Sequence, residues 1–456
     1  MGPTAVLETF GWTRPVNQCT RTFFFFPRFA ATDKYADAGS GRYVRETTPL
    51  SLYRANPGEK AAVPPPPLPE GPHSGYLVIQ DEEYEAQSTC CWGLCRNPYL
   101  VELPFPQNRL LIVEYSHIVG EGRHIDTDHV FFVPVPGHPI SANRYYVVLA
   151  GEITPGKPLT SKSVHSGRSV EICACSREQD RTTFCCCFCV HDVKPRPFRE
   201  GDVYQEVEVI PHRRKGEFHA RAIAPDGIPP LFLRQQCWTL RRSLPRDSRV
   251  DIGSASGVDR ALREKRPDVS FPIAGPSSAA VLVGKWYSPF FFTKEESRHK
   301  DQMKRSVYYE VTLEQFWEPI LTRENPSGAG GSRRVEVKAT VQTESAFLSN
   351  GEPVGEELSQ PDGFVLFRPA ESGSGAVALS STLMERMKWE LARGSWVPGK
   401  DGVEVVDREE EYQDGGEWAA FGCYLLVERF SLRRLDGSLV LARDFRHTDK
   451  IITKWE

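Results

Sequence analysis

Between positions 173 and 191 the chain holds Cys173, Cys175, Cys185, Cys186, Cys187, Cys189 and His191. Four thiolates within reach of one another suit tetrahedral zinc. Alternation along an extended strand puts Cys185, Cys187 and Cys189 on one face. If Ile172 to Ser176 pairs with that strand as a hairpin, Cys173 and Cys175 join the same face. These five are the candidate metal ligands. An ordinary reading competes with them. Structural zinc sites combine two Cys-x-x-Cys knuckles, and only Cys186 to Cys189 has that spacing. Cysteine also packs as a small hydrophobe and is among the most buried residue types. Buried reduced thiols are therefore the first expectation, with zinc, redox-active thiols or disulfides as alternatives. Cys90, Cys91 and Cys95 form a smaller group read the same way.

Two further constellations carry chemical residue types. Gly151-Glu-Ile-Thr-Pro-Gly156-Lys157 has the spacing of a phosphate-binding loop. Such a loop needs a Ser or Thr hydroxyl next, for magnesium, and a following helix. Pro158 stands there instead, so a turn between strands is expected. His117, His124, Asp126, Asp128 and His129 crowd what reads as one loop, with types that suit zinc or manganese but also a solvated turn. The sequence contains no Gly-x-Ser-x-Gly, His-Glu-x-x-His or Gly-x-Gly-x-x-Gly motif. Acidic pairs such as Glu82/Glu83 and the run Glu409 to Glu411 lie in polar surroundings. Catalytic and cofactor-binding residues are accordingly not assigned, and the reading leans away from an enzyme.

The elements that must position these residues are mostly strands. Tyr76 to Ile79, Arg109 to Tyr115, His129 to Val135 and Arg144 to Leu149 are rich in Val, Ile, Tyr and Phe, punctuated by Pro, Gly and Asn. The continuous apolar run Tyr145 to Ala150 points to burial on both faces. Ala279 to Val283 reads as a strand, Glu295 to Lys304 as a helix, and Val307, Tyr309 and Val311 as the inner face of a half-buried strand. One good helix follows, Ser381 to Arg393. Leu383, Met387 and Leu391 share its apolar face, Arg386 and Glu390 form a surface pair, and Gly394 sits at its C-terminal stop. Asp436-Gly437 between two apolar runs predicts a type I′ hairpin. The fold class expected is mainly β (β-rich α+β): antiparallel, sandwich-like halves with a few short helices. The division expected is an extension over 1–42, a β-rich region over 43–325 with a subdivision near 211–218, a Gly/Ser linker over 326–334, and a β-rich domain with one helix over 335–456.

Lys plus Arg number 56 and Asp plus Glu 60, a net charge of −4, which gives no global case for nucleic acid. Local basic runs at Pro211 to Arg221 and Arg234 to Arg249 read as solvated faces, with phosphate binding as the alternative. No apolar stretch reaches the ~20 residues of a membrane-spanning helix. No secretory signal precedes the cysteines, so reduced thiols in the cytoplasm are expected. The nucleus is an alternative with the same reduced thiols, and a plastid is another, because Arg14, Arg21 and Arg28 lie among Thr and Ala with few acids, as in a transit peptide. The proline tract at 64–69 reads as a spacer or a partner-docking segment.

With these segments in hand, the chain resembles a plant family known only as domain of unknown function 1262. The resemblance is carried by Pro49 to Arg54, Gly71 to Glu83, Leu103 to Asn108, Ser141 to Tyr146, Asp226 to Pro230, Val283 to Tyr287, Phe421 to Phe430, Phe445 to Thr448 and Lys454 to Glu456. It covers the chain from about Tyr43, near where members commonly begin. It implies a plant source and no activity, cofactor or catalytic residue. The function expected is a non-catalytic binding protein for a protein or small-ligand partner, with a role in stress or defence. The alternatives are a hydrolase with dispersed acids or histidines, a thiol–zinc protein, and a lectin-like or pore-forming protein.

Overall fold

The computed structural model describes residues 98–456 with short gaps, the longest at 151–170, 244–249 and 326–332, and before them two strands as backbone, β1 (Val44–Pro49) and β2 (Ser74–Gln80). The segments 1–42, the proline tract, Cys90 to Cys95 and the Gly151 to Pro158 loop lie outside the described residues. The chain is strand-rich and its sheets are overwhelmingly antiparallel.

Six strands close a barrel. They are β3 (Leu111–Val119), β4 (Gly122–Pro134), β5 (Arg144–Leu149), β6 (Glu206–Pro211), β7 (Glu217–Ala222) and β8 (Trp238–Arg242). The ring runs β5-β6-β7-β8-β3-β4 and back to β5, antiparallel at every step. Period-two alternation turns Val113, Phe132, Tyr145, Val147, Phe218 and Trp238 inward. Phe105, from the segment before β3, completes the filling. Its ring lies 5.0 Å from Phe132 and 5.1 Å from Phe218, and its N–H donates to the Tyr145 hydroxyl at 3.3 Å. The lumen is thus a packed core and not a ligand cavity. Tyr146 and Val148 point outward from β5 into a second core, so the expected burial of this strand on both faces holds.

That second core belongs to a sheet whose seven-strand path joins β1 and β2 to β9 (Val281–Pro289), β10 (Tyr308–Glu324), β12 (Glu344–Leu348), β14 (Ala420–Arg434) and β15 (Leu439–Trp455), while β11 (Arg334–Gln342) and β13 (Val403–Glu411) form a separate ribbon. The order is β12-β15-β14-β10-β9-β1-β2, with only β1 and β2 parallel. The ribbon packs Val335, Val337 and Val406 on Phe421, Cys423 and Leu425 of β14. A four-stranded sheet of Thr293–Glu295, Val377–Ser380, Phe364–Pro369 and Val354–Ser359 completes the frame. β10 precedes the expected linker and β14 follows it, yet the two pair from Tyr309↔Arg434 to Glu324↔Ala420. The main sheet therefore runs across the 326–334 boundary.

Two helices matter below, α1 (Arg260–Lys265) and α2 (Ser381–Arg393). Ser380 caps α2 through the Leu383 N–H, and Leu383, Met387 and Leu391 are buried as expected. Its end departs from expectation. Ser395, with φ 61°, takes the left-handed position, while Gly394 has φ −78°. The Ser395 and Trp396 N–H groups bond the Ala392 and Leu391 carbonyls, a Schellman closure. The Arg386–Glu390 pair forms at 2.6 Å but is buried, because α2 lies in the core. The helix read from Glu295 starts later, at His299, since Thr293–Glu295 is drawn into a sheet edge. The 436–437 turn also differs. Gly437 has φ 84° but Asp436 does not share the left-handed region, and Arg434 N–H bonds Ser438 O across a three-residue loop. A type I′ turn needs positive φ at both central residues.

Candidate functional site

The segment after Ile172 does not pair with the Cys187–Val190 strand; that strand pairs with Arg181–Phe184, and Glu171–Ile172 pairs with β5 and Arg196–Pro197. Cys173 and Cys175 are buried with the barrel core, and burial pushes both thiols up, Cys175 to about 12. Cys187 and Cys189 lie on the Cys187–Val190 strand, and Cys185 lies outside the described residues.

The His/Asp group does not occupy a loop. It lies along the β3–β4 ladder, where His117 faces His124, Tyr115 faces Asp126, Val113 faces Asp128 and Ile112 faces His129. From position 124 to 129 the strand advances about 17 Å, too far for one metal ion to bridge. Tyr115 donates to Asp128, whose carboxyl burial lifts above its ordinary range.

The strongest electrostatic constellation was not legible in sequence. Glu428 on β14 is fully buried. Arg263 of α1 grips it with Nε on Oε1 at 2.7 Å and Nη2 on Oε2 at 2.6 Å, and Gln315 of β10 donates at 2.8 Å. His447 Nε2 of β15 lies 3.2 Å away, within ion-pair range but off the line of a good hydrogen bond. Burial alone would raise this carboxyl; the close approach of His447 and the paired hydrogen bonds and charge of Arg263 outweigh it and hold Glu428 at about 2. Arg263 also donates to the Glu390 carbonyl at 2.9 Å and to its carboxylate at 3.5 Å. A side chain at Gly394 would overlap Arg263 Nη2. Acid and histidine do converge here, but between sheet and helices, where substrate cannot reach. The arrangement locks α1 and α2 to β14 and β15.

A concavity open to solvent lies elsewhere among the described residues, a groove of about 360 Å³ between β10, β11, β12 and β15. A bulge at Ile320, where the β10–β14 register skips from Pro319 to Leu321, opens one wall. Pro319, Ile320, Ala339, Val341 and Phe347 supply apolar lining. Arg446 forms the polar floor. It donates to both Glu318 oxygens, at 2.5 and 3.1 Å, and to Ser345 Oγ at 2.9 Å and Gln342 O at 3.3 Å. Ala339 to Gln342 line it consecutively. Side chains of successive strand residues alternate faces, so β11 meets the groove along its edge. Among the described strands β11 pairs only with β13.

Residues 70–188 match the family model described as Protein of unknown function (DUF1262). The family resemblance read from the sequence is borne out over this span. No curated protein matches the chain. Among solved structures, the crystal structure of Cry35Ab1 is similar at 11% identity and a TM-score of 0.40, over 77% of this chain and 90% of that one.

Proposed function

We propose that this chain is a non-catalytic binding protein that takes an extended peptide segment into the β10–β11–β12–β15 groove. One observation carries the reading: the groove runs beside an edge of β11 that no described strand pairs. A strand edge offers backbone N–H and C=O groups to an added strand, and alternating pockets beside it select side chains. Pro319, Ile320 and Phe347 furnish such apolar contacts, and Arg446 is fixed by Glu318 and Ser345 as a rigid floor. The inward turn of the buried acids supports the same reading, since Glu428 and Glu390 are spent on Arg263 and Arg386.

The test is selection of peptides from a displayed random library on the full chain, followed by affinity measurement on Ala339→Trp, which fills the groove. Selected peptides should lose at least about tenfold affinity on that variant and none on Arg214→Ala, which lies on the barrel's surface. Equal binding to Ala339→Trp, or a library that yields no enriched sequence, would overturn the proposal.

A further inference from the structure

On the outer wall of the barrel, three side chains converge, one from β7 and two from residues that flank β6 and β8. Phe218 pairs with Trp238 and both point inward. Alternation therefore turns Glu217 of β7 outward, and Cys237 just precedes the inward Trp238 of β8. His212 follows β6 directly, and its N–H donates to the Glu217 carbonyl at 2.8 Å, closing the β6–β7 turn. His212 Nδ1 lies 3.5 Å from Cys237 Sγ and 3.5 Å from Glu217 Oε2. All three donor atoms lie within 4.8 Å of one another.

We infer that His212, Glu217 and Cys237 form a binding site for a zinc-class divalent cation. The distances favour it. Tetrahedral bonds of about 2.3 Å to sulfur and about 2.0–2.1 Å to nitrogen and oxygen place sulfur about 3.6 Å from nitrogen, and nitrogen about 3.4 Å from oxygen. The donor types favour it as well: thiolate, imidazole and carboxylate together select zinc over magnesium or calcium. Glu217 is oriented for the task. Its Oε1 faces Arg214 at 3.9 Å, which leaves Oε2 turned to His212. One thiolate and one carboxylate balance the charge of a divalent ion, and three protein ligands leave a fourth position to water. His219 is the next histidine on the same wall, but its ring centroid stands 6.5 Å from that of His212, outside the donor group.

The competing arrangement is a cysteine nucleophile with a histidine base. A relay needs the nucleophile on one ring nitrogen and the orienting acid on the other. Here both approach Nδ1. Burial and the Glu217 carboxylate also push the Cys237 thiol up, the opposite of activation. A metal ion reverses that effect by stabilising the thiolate.

Cobalt(II), added to metal-stripped full-length protein, reports the site through its thiolate-to-metal absorption band, and zinc competition gives affinity. One equivalent should bind with sulfur ligation. It should be lost in both Cys237→Ser and His212→Asn, weakened at least about tenfold in Glu217→Gln, and kept in Cys187→Ser. Circular dichroism of the variants checks folding, which three surface positions should leave intact. A cobalt–thiolate band that survives Cys237→Ser and His212→Asn, or no band in the parent protein, would overturn the inference.

Discussion

Glu428 illustrates how a side chain acquires its chemistry from its surroundings. In sequence it is one acid in a strand, Val427-Glu428-Arg429, with nothing to mark it. In the fold it faces Arg263, Gln315 and His447 with no water contact. Its carboxyl is held at about 2 against an ordinary value of 4.5. A folded pKa below the unfolded one gives stability that is fully present above about pH 4.5 and is lost as pH falls toward 2. The shift corresponds to on the order of 3 kcal/mol. Urea unfolding of the parent protein should therefore weaken across that window. Glu428→Gln should be less stable at neutral pH, because Arg263 loses the nearer of its two carboxylate partners, and should show a flatter acid profile. An unchanged acid slope in the variant would show that other groups carry it.

Helix α2 and its closing turn show the same dependence at the scale of an element. Local signals set its span: the Ser380 cap, the four-residue spacing of Leu383, Met387 and Leu391, and a terminal glycine. The reason for that glycine lies elsewhere in the chain. Gly394 has φ −78°, which alanine adopts without strain, so backbone freedom does not require it. The space is taken by Arg263, itself locked by Glu428 and Glu390. Gly394→Ala should displace the guanidinium and cost about 3 kcal/mol, the scale of breaking a buried ion pair. Chemical denaturation measures this, and adding Gly394→Ala to Arg263→Met should cost little beyond Arg263→Met alone, because the clash and the ion pair share one guanidinium. The β11–β13 ribbon belongs to the same scale. Val335 and Val337 share their face with Glu410 and Arg408 across the ladder. Neither side of the ribbon is uniformly apolar, as a lipid-facing strand pair would have to be. No helix among the described residues is long and apolar enough to cross a membrane.

Across the whole molecule, barrel and long sheet share one core. Phe131, Val133, Tyr146 and Val148 on the barrel's outer wall pack with Trp286, Phe291 and Leu432, and Tyr146 meets Phe291 with centroids 6.1 Å apart. Unfolding the full chain by calorimetry should therefore give a single transition, and the excised barrel, 98–243, should be markedly less stable because that wall would face water. Two well-separated transitions would contradict a shared core. The sequence by itself determined the strand-rich class, the span of α2, the hairpin at 436–437 and the double burial of Tyr145 to Ala150, since each follows from patterns within a dozen residues. Only the tertiary structure decided the rest. Barrel closure, the sheet that crosses 326–334, the Arg263–Glu428–His447 cluster and the meeting of His212, Glu217 and Cys237 all depend on which strands pair and in what register. Register between strands far apart in sequence is settled by global packing. For that reason Cys173 and Cys175 go to the barrel core, while Cys187 and Cys189, close to them in sequence, lie on a separate hairpin. Cys237, a lone thiol in sequence, sits beside a histidine and a glutamate.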